Sequence, residues 1–98
     1  MEFSFKKAEN CFSDAENYEY RIEATGAEFI ELLKPRVAEL RINDKLRRPT
    51  FIATLPDGVQ LKGLLDKNVI KVGYVIGQAA QQKTALEQWL TRGPGVSG

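Results

Sequence analysis

The sequence predicts an α+β fold: one mostly antiparallel sheet of five to six strands with two helices packed on one face. Three observations carry this expectation. Tyr18–Ala24 and Val37–Ile42 alternate apolar and polar residues, the pattern of half-buried strands. Thr50–Ile76 holds β-branched runs divided by short turns. Two further stretches, one after Thr25 and one over Gln78–Arg92, gather apolar residues at helical spacing between start and stop signals.

Taken in order, Phe3 and Phe5 suggest a short first strand, and Cys11–Asn17 has the composition of a loop. Tyr18, Tyr20, Ile22 and Ala24 then form one side of a strand whose other side is Glu19, Arg21 and Glu23. Thr25 and Glu28 have the spacing of a capping box, so a helix should start there. Phe29, Ile30, Leu32 and Leu33 give this helix its apolar face, and Pro35 ends it because the residue before a proline avoids helical geometry. Val37–Ile42 follows as a strand. With the preceding strand and helix it could form a right-handed crossover, which would put one parallel pair in the sheet. Asn43–Pro49 reads as a loop.

Thr50–Leu64 is the clearest hairpin. Pro56 suits a turn corner, and Gly58 stands where a positive φ is needed. A turn at Asp66-Lys67-Asn68 leads into Val69–Ile76, which completes a three-stranded meander. Gln78–Arg92 is the second helix, with Ala79, Ala85, Leu86, Trp89 and Leu90 largely on one face and Gly93-Pro94 as its stop. Residues 1–92 thus form one domain, and 93–98 a flexible tail.

At 98 residues, 43% apolar and 28% charged, the chain is long enough for one thin core. Its longest stretch without a charge, Val72–Gln82, is too short to span a bilayer, so no membrane role is expected. There is no His and one Cys. That composition excludes imidazole-based nucleophilic catalysis and leaves no ligand set for zinc. A single Cys fits a reducing, cytoplasmic setting, and Cys11 is expected to be a partly buried structural residue. The closing Gly93-Pro94-Gly95-Val96-Ser97-Gly98 has the letters of a dinucleotide loop but no helix after it. Gly58 and Gly63 have phosphate-loop spacing, but Leu64 and Leu65 stand where Lys and Ser or Thr belong. No catalytic residue, cofactor or metal is therefore assigned, and no enzymatic activity is expected.

The charge is uneven along the chain. Residues 1–33 carry eight acids and three bases, and residues 34–98 five acids and eleven bases. Lys34, Arg36, Arg41, Lys45, Arg47 and Arg48 crowd into one stretch without an aromatic residue between Leu32 and Pro49. The composition points first to a small non-enzymatic binding or regulatory module that acts on another protein or on itself through a sheet edge or an outer helix face. The alternative is a nucleic-acid-associated regulator that uses the basic stretch 34–48, with Lys34, Arg36, Lys45, Arg47 and Arg48 as candidate contacts. Glu19, Arg21 and Glu23 read as a solvated charge ladder, since the arginine between them keeps both carboxylates ionised. Trp89 reads as a core anchor of the second helix.

Overall fold

The structure, a computed structural model, describes residues 2–9, 12, 14–43, 45 and 47–92. Strands β1 (Phe3–Lys7) and β2 (Ala15–Ile22) precede helix α1 (Gly26–Leu33), which tightens into a 3-10 turn at Lys34–Arg36. Strands β3 (Glu39–Asn43), β4 (Thr50–Thr54), β5 (Gln60–Leu64) and β6 (Val69–Val75) follow, and helix α2 (Ala79–Arg92) completes the α+β domain. Cys11 and the tail at 93–98 lie outside the described residues.

The six strands run in the order β1-β2-β6-β5-β4-β3, and every neighbouring pair is antiparallel. The expected parallel pair does not form. β2 and β3 point the same way, but β6, β5 and β4 lie between them. The physical reason is the meander. Tight turns return each strand directly beside the last, filling the space that α1 crosses, and β3 pairs with β4 instead.

Local chemistry sets the element ends. The Thr25 hydroxyl accepts the Glu28 amide at 3.3 Å, and the Glu28 carboxylate accepts the Thr25 amide at 3.1 Å, so both arms of the capping box are made. The Thr25 amide holds the Glu28 carboxyl below its usual range. β2 starts at Ala15, earlier than loop composition suggested. Asn17 accepts the Phe12 amide at 3.2 Å and donates to the Phe12 carbonyl at 3.1 Å, which satisfies the turn and lets Glu16 and Asn17 join the ladder. β3 starts at Glu39, later than expected, because the 3-10 turn holds the Val37 amide on the Lys34 carbonyl. Gly58 has φ of 95°, the left-handed conformation its turn requires.

Both helices cover the same face. Phe29, Ile30 and Leu33 of α1 and Leu86 and Leu90 of α2 join one buried cluster with Tyr20, Ile22, Phe51, Leu61, Ile70, Val72 and Tyr74. Alternate residues of the same strands point away from the helices. There the sheet carries no helical layer, and its only described cover is Phe12 at one end. Gly73 provides the space for that ring: a Cβ at this position would come within 2.6 Å of it.

Candidate functional site

The helix-free face is built by strand alternation. Antiparallel pairing places Lys6, Glu19, Lys71, Lys62, Ile52 and Arg41 in one row across all six strands. Lys6 reaches Glu19 at 3.4 Å, the Lys62 ammonium lies 4.8 Å from the centre of the Phe12 ring, and Arg41 Nε meets Glu39 at 2.6 Å. Glu19 thus sits in a cross-strand charge ladder. Beside this row, Leu64 lies opposite Thr50. Between β4, β5 and β6 the surface dips into a shallow groove of about 280 Å³ lined by Thr50, Ile52, Lys62, Leu64 and Lys71. Ile52 is 47% exposed on its floor. An aliphatic floor with ammonium groups at its wall can bury an apolar side chain and pair an accompanying carboxylate.

The basic stretch does not gather. Lys34 caps α1 and meets Glu31 at 2.7 Å, and the Arg36 guanidinium sits 5.2 Å from the Trp89 ring centre. Lys45, Arg47 and Arg48 are exposed in the β3–β4 connection. The five residues of β3 separate the two groups by roughly 16 Å at the usual strand rise. The exposed loop keeps three of the five sequence-predicted residues together, and the other two serve the helix layer. Ile52, Lys62, Leu64 and Lys71 were not singled out as a site. Their signal was alternation: two aliphatic residues fall on the polar side of an otherwise regular hairpin.

The covered face holds a polar network of its own. Tyr74 donates to the Tyr20 oxygen at 2.6 Å, Tyr20 donates to Glu87 Oε2 at 2.7 Å, and Lys83 Nζ lies 2.6 Å from that same oxygen. Lys83 also sits 3.7 Å from the Phe5 ring centre and 5.2 Å from that of Tyr18. Burial pushes the Tyr20 and Tyr74 phenols above their ordinary range, so both remain hydrogen-bond donors. The network fastens α2 to β2 and β6. Trp89 is half-buried, packed edge-on against Phe29 with ring centres 5.8 Å apart.

Among the described residues no three Cys, Asp or Glu side chains come together as metal ligands, and no helix is long and apolar enough to cross a membrane. No family model, curated protein or solved structure matches the chain.

Proposed function

We propose that the protein is a non-enzymatic binding module that holds an acidic, aliphatic segment of another protein against the helix-free face of its sheet. The observation that carries this reading is Ile52, 47% exposed on the floor of a groove shared with Leu64 and walled by Lys71. Burying one partner side chain there is worth about 1.5–3 kcal/mol. Carboxylates on the partner would meet the lysines at the rim, where charge mainly speeds encounter and selects the partner. An aliphatic floor suits side chains better than bases, which need stacking surfaces.

A second reading rests on the exposed Lys45, Arg47 and Arg48, which together in one loop could contact phosphates. One experiment separates the two. The protein is titrated with a peptide that alternates Asp or Glu with Leu or Ile, and with duplex and single-stranded oligonucleotides at two salt concentrations. The expected result is peptide binding that weakens at least tenfold in Ile52→Glu, with its fold confirmed by circular dichroism. Salt-sensitive oligonucleotide binding without peptide binding would replace this reading with the second.

A further inference from the structure

We propose that two copies of this chain pair through the outer edge of β3 in one register, with Leu40 on the two-fold axis. Among the described residues β3 is the last strand of the sheet and pairs only with β4, so its outer amides and carbonyls have no partner strand there. On the helix side the rim is apolar: Ile42 is 48% exposed there and Leu40 is only partly buried. Exposed aliphatic groups along a bare edge are what a continuing sheet would cover.

A two-fold axis limits the registers to those centred on a residue, and only the one centred on Leu40 sets Glu39 opposite Arg41. Two antiparallel strands related by a two-fold axis must place a residue opposite its own copy, because directly opposed side chains point to the same side of the sheet. With Arg41 on the axis, Arg41 faces Arg41. With Glu39 there, two carboxylates face each other. With Leu40 on the axis, Leu40 meets Leu40 on the helix side, and each Glu39 faces an Arg41 of the other copy on the open side. Within one chain Arg41 already meets Glu39 through Nε at 2.6 Å, which leaves the other guanidinium nitrogens for a second carboxylate. Two such pairs form an alternating ring of four charges. This pairing does not involve the groove on β4, β5 and β6, and it stands or falls independently of it.

The test is the oligomeric state by light scattering at several concentrations, on the wild type and on charge variants. The wild type should have twice the monomer mass. Arg41→Glu alone and Glu39→Arg alone each turn both attractive pairs repulsive and should weaken the dimer on the order of ten- to a hundredfold. Mixing these two single variants should restore a dimer, as should the double variant with both changes, since each then recreates opposite charges across the axis. A wild type that stays monomeric at high concentration overturns the proposal. So does a dimer unaffected by either single change, or one that the double variant fails to restore while its fold remains intact.

Discussion

The two faces of the sheet are written by alternate residues of the same strands, yet they follow opposite rules. On the covered face, Phe51, Leu61, Val72 and Tyr20 are at most 1% exposed, and the polar groups among them are tied into the Tyr74, Tyr20, Glu87 and Lys83 circuit. On the open face Lys71 and Lys62 stand directly opposite each other across β5 and β6, with Ile52 and Leu64 alongside, and among the described residues no helix covers them. A face that only needed to be buried would not carry two adjacent lysines. The difference separates the side of the molecule that holds the fold together from the side that the proposed binding would use.

The largest effect that would break this contrast is in the core. Phe29→Ala should cost about 3–5 kcal/mol in urea unfolding, and Trp89→Ala about 1–3, because Phe29 is 1% exposed while Trp89 is only half-buried. Equal losses would mean that α2 contributes to the core as deeply as α1.

Next comes the polar circuit. Tyr20→Phe removes the donor to Glu87 and the acceptor for Tyr74, and should cost about 1–3 kcal/mol. The pH dependence has a definite sign. Both phenols are raised in the folded state, so the folded chain favours their protonated forms. Their contribution is fully present below the ordinary tyrosine value of about 10 and is lost as pH rises beyond it. Denaturant midpoints measured from neutral to strongly alkaline pH should fall, and the fall should be shallower in Tyr20→Phe. An equal slope in both proteins would remove the circuit from the account.

Gly73→Ala acts between the faces. A methyl group within 2.6 Å of the Phe12 ring must push that ring aside, at a cost of about 1–2 kcal/mol, and should leave the open face more accessible. Hydrogen exchange would show faster exchange around Phe12 and Asn17 with α1 unchanged. The smallest effect is expected at Ile52→Thr, within about 0.5 kcal/mol of wild type, since the side chain is half in water and threonine keeps the strand preference. A large loss there would make the groove a structural element.

Much of this was legible in the sequence. Thr25 and Glu28 announced the helix start, Pro56 and Gly58 the hairpin, and the alternation through Tyr18, Tyr20 and Ile22 the covered face. The missing parts depended on contacts between distant residues. Asn17 reads as loop-forming until its side chain is seen bonded to Phe12. Nothing in Val37–Ile42 says whether its neighbour will be β2 or β4, because period-two patterning sets a face and not a partner. How far the basic stretch spreads was illegible for a related reason: the length of β3 sets Lys34 and Arg36 apart from Lys45, Arg47 and Arg48.

The strand order has a consequence for synthesis. Among the described residues β6 is the last strand to be made, but it lies between β2 and β5, and no backbone ladder there joins β1–β2 to β3–β4–β5 without it. While the chain is being translated, the early residues can form two small ladders with four open edges between them, and Tyr20 and Ile22 wait uncovered for Ile70 and Val72. Ribosome-bound chains that have not yet exposed Val69–Val75 should be cut readily by protease, and those that have exposed everything through Arg92 should resist.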